Sequence, residues 1–293
     1  MATPLTAAAV LAALRAEGVR VVEVGSWRTH NRNSRGAWGP LNGSIVHHTV
    51  TKGTTSTVRI VRDGYADLPG PLCHGMIAKD GQVHMVGWGR TNHAGGGDPK
   101  VLEQVIAESY GTAPSKPARG NSNGTDGNAR FYGWECENLG DGKDPWPAAQ
   151  YDAIVRVQAA LCRAHGWTAK SVIGHREWSS DKVDPRGIDM SQLRADVAER
   201  LAHPASWNPG GTTPSKEDPM ALTDADVRRV ADAVVDRILS ADRFDAPADA
   251  ADYSPDPKSN KHYWSGRSVF ADLVTRVRRI DKALAALTKD GGR

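Results

Sequence analysis

The sequence predicts an α/β fold in which a mixed central sheet is flanked by helices, with a small helical region at the C-terminus. The first observation behind this prediction is that short β-branched runs alternate with longer segments whose apolar residues recur at helical spacing. The second is a composition ordinary for a globular protein, with 39% hydrophobic and 24% charged residues. A chain of 293 residues has room for one enzyme-sized domain and a smaller region.

The first half of the chain is predicted to alternate helices with short strands. Thr6 is a residue type that caps helices, and Asp80-Gly81 between alternating apolar residues is a strong hairpin signal. The predicted elements are a helix from Thr6 to Arg15, a strand over 19–24, a loop over 26–42, a strand that ends at His47-His48, a helix over 54–66 and a hairpin over 74–86.

The second half of the main domain continues this alternation after a long insertion. Residues 95–130 are rich in Gly, Asn, Ser and Pro, and such a segment is expected either to border a groove or to be mobile. The predicted elements are a short helix over 101–109, a strand over 131–138, a helix from Pro147 to Gly166, a strand over 172–173 and a helix that Asp189 caps and that reaches Leu201.

The composition changes after residue 202, which predicts three parts: a main domain over 1–202, a flexible linker over 203–221 and a helical region over 222–293. Apolar residues from Phe270 to Leu287 have heptad spacing. So short a helix must bury its apolar face against the rest of the chain, in a binding module or in a homo-oligomer. The absence of an aromatic-rich carbohydrate-binding repeat favours the homo-oligomer through the C-terminal helices.

The charge and the cysteine content of the chain indicate its compartment of synthesis more clearly than they indicate a binding partner. The net charge of +3 is only mildly basic, and we expect no nucleic-acid partner. The three cysteines lack a CxxC pair, which favours free thiols and synthesis in a reducing compartment. No stretch has the length of a transmembrane helix, so we expect no membrane insertion. Residues 7–14 lack a cationic flank, which favours an amphipathic helix over a signal peptide.

A cluster of polar residues follows the predicted strand over 172–173. His175 stands at the strand end, and Lys182 and Asp184 follow in a loop closed by Pro185 and Gly187. These residue types provide a metal ligand, a cation for a developing oxyanion and a second ligand. A lone histidine at a strand end is more often structural, so the interpretation requires a second group of ligands.

The strand that ends at His47 and His48 provides that second group. Successive side chains of a strand face opposite sides, so one of these histidines is expected to pair with His175 around a metal. The other would face a helix or solvent. Two histidines and Asp184 fit a catalytic zinc, which keeps one position open for water. The alternative is a chance doublet, since the chain has ten histidines.

Five motifs occur in a fixed order along the chain. They read I-V-H-H-T at 45–49, K-D-G at 79–81, H-A-G at 93–95, G-W-E-C-E-N at 133–138 and G-H-R-E-W-S-S-D-K-V-D-P at 174–185. This order resembles the zinc-dependent N-acetylmuramoyl-L-alanine amidases of type 2, a superfamily with peptidoglycan recognition proteins and many phage endolysins. The sequence looks most like an endolysin of an actinobacteriophage, and the resemblance covers residues 20–202.

The resemblance implies a type 2 amidase fold with a peptidoglycan substrate and a role for each matching residue. By this resemblance Zn²⁺ would be held by His47, His175 and Asp184, with Lys182 as the catalytic lysine and Glu135 as the general base. Geometry alone allows Glu137 equally, because the two glutamates are two residues apart on one strand. The residues that would bind substrate are His93, Trp88 and Asn92. Cys73 stands where some relatives have Tyr.

The implied function is cleavage of the amide bond between N-acetylmuramic acid and L-alanine. A phage endolysin would be made in the host cytoplasm without a signal peptide and act on the cell wall after release. The alternatives are a non-catalytic peptidoglycan-binding module, a bacterial autolysin of the same fold, or an unrelated soluble α/β protein. The presence of all three candidate ligands with Lys182 and a candidate base argues against the non-catalytic module.

Overall fold

The computed structural model describes residues 2–208 and two short segments, 243–245 and 263–265. The chain divides into two units, Met1–Pro209 and Gly210–Arg293. The division lies inside the segment predicted as a linker over 203–221, whose flexibility stays a prediction. The predicted helices of 222–293, including the heptad over 270–287, lie outside the described residues. Within the second unit, two strands pair antiparallel, Arg243–Asp245 with Tyr263–Ser265, and the sequence did not predict them.

The first unit is built on one six-stranded sheet. Its strands and those of a small second sheet are β1 (Val21–Glu23), β2 (Gly43–His48), β3 (Gly75–Ile77), β4 (Val83–Met85), β5 (Gly96–Gly97), β6 (Thr125–Asp126), β7 (Phe131–Cys136) and β8 (Val172–Gly174). The large sheet has the order β1-β4-β3-β7-β2-β8. All its pairs are parallel except the β3–β4 hairpin, whereas β5 and β6 form a separate antiparallel pair. The predicted mixed sheet is therefore confirmed.

Helices cover both faces of this sheet. They are α1 (Ala7–Ala16), α2 (Thr54–Asp63), α3 (Pro99–Ile106), α4 (Ala148–His165), α5 (His175–Trp178) and α6 (Met190–Ala202). Side chains of β2 alternate between faces: Val46 belongs to the core with α1, α4 and α6, while Ile45 packs with α3 and α5. His47 follows Ile45 by two residues and so faces the α3 and α5 side.

Most of the predicted elements are confirmed, with their caps. Thr6 accepts a hydrogen bond from the Ala9 N–H, and Asp189 accepts from the first turn of α6. Helix α2 is shorter than the predicted 54–66, because Gly64 has a φ of +77° and ends the helix. Helix α3 begins earlier than the predicted 101–109, because Asp98 caps it and Pro99 occupies its first position.

None of the helices within the described residues is both long and apolar enough to cross a membrane.

Candidate metal centre

The candidate site lies at the carboxyl ends of the three adjacent strands β2, β7 and β8. His47 is paired in register with Glu135, and paired residues of parallel strands project to the same face. His175 is the first residue of α5, directly after β8. The strand alternation and the sheet order therefore place two imidazoles and a carboxyl group together at the carboxyl ends of these strands.

Three buried atoms that could bind a metal meet at this end of the sheet. His47 Nδ1 lies 3.0 Å from His175 Nδ1, and each of these nitrogens lies 3.1 Å from Asp184 Oδ2. All three residues are buried. The histidine that faces the site is therefore His47. His48 faces the other way, and its Nδ1 accepts a hydrogen bond of 3.0 Å from the Arg186 N–H in the loop after Asp184.

Backbone carbonyls fix the proton positions on both imidazoles. His175 Nε2 lies 3.1 Å from the Ala94 carbonyl oxygen, which only accepts, so the neutral ring carries its proton on Nε2. His47 Nε2 lies 3.1 Å from His93 Nδ1, and His93 Nε2 lies 3.1 Å from the Phe131 carbonyl. The same reasoning puts the His47 proton on Nε2. His47 thus turns its Nδ1 toward His175 and Asp184, and His175 turns its own Nδ1 toward the same point.

This donor set fits a zinc ion. Burial and the neighbouring His175 lower the pKa of His47 to about 4, so this imidazole is neutral at pH 7. Burial alone would raise the pKa of Asp184, but its contacts with His175 and His47 lower it, and the carboxylate is ionised. A tetrahedral ion with bonds of about 2.0–2.1 Å spaces its ligand atoms about 3.3 Å apart, close to the observed spacing.

The two glutamates that the sequence left as alternatives lie in different surroundings. Glu137 accepts hydrogen bonds of 2.8 Å from the Gly53 N–H and the Thr54 hydroxyl, at the start of α2. Glu135 has a buried Oε2 without a hydrogen-bond partner among the described residues. Burial and Asp184 raise the pKa of Glu135 to about 8, while Lys182 opposes the rise. Glu135 is therefore the carboxyl group available beside the three ligand atoms.

Residues 37–187, more than half of the chain, match the family model Amidase_2, described as N-acetylmuramoyl-L-alanine amidase. The chain belongs to this amidase family. The family acts on peptidoglycan. No curated protein sequence matches the chain.

Solved structures of amidases are among those similar to this family member. The endolysin N-acetylmuramoyl-L-alanine amidase LysCS from Clostridium intestinale is 16% identical with a TM-score of 0.38, and the match covers 61% of this chain and 95% of LysCS. AmiD from E. coli, solved with anhydro-N-acetylmuramic acid-L-Ala-D-gamma-Glu-L-Lys, is 15% identical with a TM-score of 0.39, covering 56% and 60%. Drosophila peptidoglycan recognition protein SA is 14% identical with a TM-score of 0.30, covering 62% and 88%.

The loop of the amidase that carries Lys182 is attached to the insertion over 95–130. The Ser180 N–H donates to the Arg119 carbonyl at 3.0 Å, and Asp181 accepts from the Asn121 N–H at 2.8 Å. Lys182 is half-buried, and its charge lowers the pKa values of both His47 and Glu135. The insertion therefore borders the candidate site and supports the loop that brings Lys182 to it.

The three residues predicted to bind substrate are placed differently from one another. Trp88 is buried, and its Nε1 donates to the Leu5 carbonyl at 2.8 Å. The Asn92 N–H donates to the Pro71 carbonyl at 2.9 Å, on a half-buried loop. His93 is 7% exposed, and both its ring nitrogens are engaged. Substrate binding by these residues of the amidase stays a prediction, but the structure brings only His93 to the ligand atoms.

Two features at the site of this amidase were missed by the sequence reasoning. The first is the contact between His93 and His47, whose only signal in the sequence is a histidine in the H-A-G motif. The second is the proximity of the buried Cys73 thiol to both histidines: its Sγ lies within 4.8 Å of a ring nitrogen of His47 and of His93. Burial, with Glu135 nearby, raises the pKa of Cys73, so the thiol is protonated at neutral pH.

Proposed function

We propose that the chain is a zinc-dependent N-acetylmuramoyl-L-alanine amidase that cleaves the amide bond between N-acetylmuramic acid and L-alanine. The observation that carries the proposal is the convergence of three buried candidate ligand atoms, His47 Nδ1, His175 Nδ1 and Asp184 Oδ2, within 3.0–3.1 Å of one another. Two imidazole nitrogens and a carboxylate oxygen so close together attract a cation. Zinc favours imidazole and carboxylate ligands in this number.

Glu135 is the proposed general base. When bound, zinc supplies a Lewis acid beside this residue. A carboxyl group whose pKa is raised to about 8 is mostly protonated at pH 7, and its ionised fraction is a stronger base than an ordinary glutamate. Such a group can accept a proton from the attacking water and later give it to the leaving amine of L-alanine. Its unpartnered Oε2 is free for this exchange.

Lys182 is the proposed partner of the developing oxyanion. Its charge acts on both His47 and Glu135, which supports a position beside the reacting carbonyl. A fixed cation at the point where negative charge develops stabilises the transition state by several kcal/mol. The bonds of Ser180 and Asp181 to the insertion limit the motion of the loop and thus of this lysine.

The first test combines metal content with product analysis. Purified full chain is expected to contain one zinc and to release new N-terminal L-alanine from purified peptidoglycan, and a chelator should abolish the release. His175→Ala is expected to lose both zinc and activity. His84→Ala is the matched control, because His84 is a half-buried histidine of β4 outside the ligand cluster, and it should keep both.

The possible outcomes separate the alternatives. Zinc binding and wall binding without release of amine would support a non-catalytic peptidoglycan-binding module. Absence of both zinc and wall affinity would exclude the proposed function altogether. Release of L-alanine that does not depend on zinc would support the proposed reaction and contradict the proposed role of the metal.

We infer from the motif order alone that the enzyme serves a bacteriophage as an endolysin, made in the host cytoplasm and acting on the wall after release. Host cells that express the chain are then expected to remain intact until their membrane is permeabilised, and to lyse afterwards. An autolysin would instead reach the wall fraction of intact cells. Fractionation of the cells before and after permeabilisation distinguishes the two roles.

A further inference from the structure

A chain of hydrogen bonds leads from the backbone of β7 to one of the proposed ligands. The Phe131 carbonyl lies 3.1 Å from His93 Nε2, and His93 Nδ1 lies 3.1 Å from His47 Nε2. A carbonyl oxygen only accepts, so His93 donates from Nε2 and keeps a lone pair on Nδ1. That lone pair accepts the proton of His47 Nε2. The unprotonated Nδ1 of His47 is thereby directed to the ligand cluster.

The residue after His93 makes the corresponding contact with the second histidine. The Ala94 carbonyl accepts from His175 Nε2 at 3.1 Å, which leaves His175 Nδ1 unprotonated in the neutral ring. One dipeptide, His93-Ala94, thus contacts the outer nitrogen of both proposed histidine ligands. Its own backbone is held by Asn128, whose Oδ1 accepts from the N–H groups of His93 and Ala94 at 2.8 Å each.

The position of the His93 ring depends on a glycine in the sheet. A Cβ atom at Gly133 would collide with the His93 ring, so the imidazole lies directly against the backbone of β7. Gly133 is paired in register with Ile45, two residues before His47 on the same face. The ring therefore fills the space on the sheet that a side chain at position 133 would occupy, immediately behind His47.

We propose that His93 is a positioning residue that fixes the tautomer and orientation of His47, with Asn128 holding the His93-Ala94 segment so that it orients His175 as well. This inference rests on the proposed zinc site and gives His93 a role other than substrate binding. A ligand imidazole in protein metal sites commonly donates its second N–H to a carbonyl or carboxylate, and loss of such a partner weakens metal binding. Here the first acceptor is another imidazole, which is itself oriented by the Phe131 carbonyl.

The test compares two substitutions at one position in the full chain. His93→Phe keeps a ring in the space against Gly133 but removes the acceptor, so zinc affinity should fall about 10–100-fold. His93→Gln keeps a side-chain oxygen that can accept from His47 and should bind zinc nearly as tightly as the wild type. Affinity is measured by competition with a chromophoric chelator, and thermal unfolding of the metal-free proteins reports their folding.

His74 provides the matched control. It is also buried, with its ring centroid 5.8 Å from that of His93, but its ring nitrogens bond to the backbone of Gly133 and Gly89 and not to a proposed ligand. His74→Phe should lower the thermal stability without a specific loss of zinc affinity. An equal loss of affinity in His74→Phe and His93→Phe would overturn the proposal, because general packing would then explain both.

Nitrogen NMR of the metal-free wild type tests the tautomers without any variant and without zinc. The expected result is His47 protonated on Nε2 and not on Nδ1. The opposite tautomer would overturn the positioning role, even if His93→Phe failed to fold. Wild-type protein that binds no zinc would instead contradict the proposed function, and the tautomer measurement would still decide the role of His93. Wild-type affinity in a folded His93→Phe would also overturn it.

Discussion

Glu135 and Glu137 show how neighbouring residues of one type acquire different properties. The carboxylate of Glu137 bonds to the start of α2, whereas Glu135 is buried beside Asp184 with one oxygen unpartnered. Hydrogen-bond donors stabilise a carboxylate, and the Oε2 of Glu135 has none among the described residues. The burial that raises its pKa to about 8 therefore suits it for proton transfer, at a cost in stability.

This cost predicts a pH-dependent effect of Glu135→Gln on the metal-free protein. The pKa of Glu135 is raised from 4.5 to about 8 on folding, so the folded state keeps a proton that the unfolded state releases. The free energy of unfolding then falls as pH rises through this window. Glutamine does not titrate, so the variant should gain about 1–3 kcal/mol relative to wild type between pH 5 and pH 8. Urea denaturation in chelator at both pH values measures the difference.

The same variant should retain zinc and lose about 10²–10⁴-fold in the rate of amide hydrolysis. Glu137→Gln is the control and should keep most of the activity, because its partners are at the start of α2. Identical pH dependence in wild type and Glu135→Gln would show that Glu135 has an ordinary pKa in the folded protein.

Lys182 gives a second prediction at the scale of a residue. Lys182→Met removes the cation and keeps the length of the side chain, so the rate should fall by about 10²–10³-fold, as for the loss of one oxyanion donor. Zinc content should not change, because the three proposed ligands remain. Lys170→Met is the control, since Lys170 lies over the Tyr110 ring outside the ligand cluster. An unchanged rate in Lys182→Met would remove this lysine from the mechanism.

At the scale of elements, the insertion over 95–130 is the part of the domain that organises the loop after α5. The Trp178 ring lies against the backbone of Gly97 and Gly127, where a Cβ atom at either glycine would collide with it. Gly120 similarly leaves space for the Asp181 carboxylate. Because these three glycines have no side chain, the insertion can lie close to the end of α5 and to the loop that carries Lys182.

These contacts mark the limit of what the sequence predicts. Alternation along β2 predicts that only one of His47 and His48 can join His175, and the family resemblance indicates His47. Helix caps such as Thr6 and Asp189 are local signals. The position of His93 depends instead on the space at Gly133, which lies on another strand. No local pattern encodes such a fit between distant segments, so the sequence predicted the candidate ligands but not the residues behind them.

The attachment of the Lys182 loop predicts an effect of Asp181 on rate. Asp181→Ala removes the acceptor for the Asn121 N–H, and the loop should become more mobile. We expect kcat to fall about tenfold through poorer placement of Lys182, with zinc affinity unchanged. Asp181→Asn keeps an acceptor oxygen and should restore most of the rate. A loss of zinc affinity in Asp181→Ala would mean that the loop holds Asp184 rather than Lys182.

At the scale of the first unit, one buried ion network joins helices far apart in the sequence. Glu17 follows α1 and is 1% exposed, and its carboxylate pairs with Arg163 of α4 at 2.8 Å and with Arg200 of α6 at 2.5 Å. Arg200 also donates to the carbonyls of Ala205 and Trp207. The network therefore closes the helical side of the sheet and fixes the segment after α6.

Removal of one partner from this network should destabilise the fold without altering the chemistry. Glu17→Gln leaves Arg200, which is 2% exposed, without its counter-charge, and we expect the free energy of unfolding to fall by about 3–5 kcal/mol. Asp63→Asn breaks a solvent-exposed pair with Arg62 and should change it by less than about 1 kcal/mol. Urea denaturation measures both.

The kcat of folded Glu17→Gln should equal that of the wild type, because the network lies on the α1, α4 and α6 side of the sheet and the ligand atoms on the other. A stable Glu17→Gln would mean that hydrophobic packing alone holds these helices together.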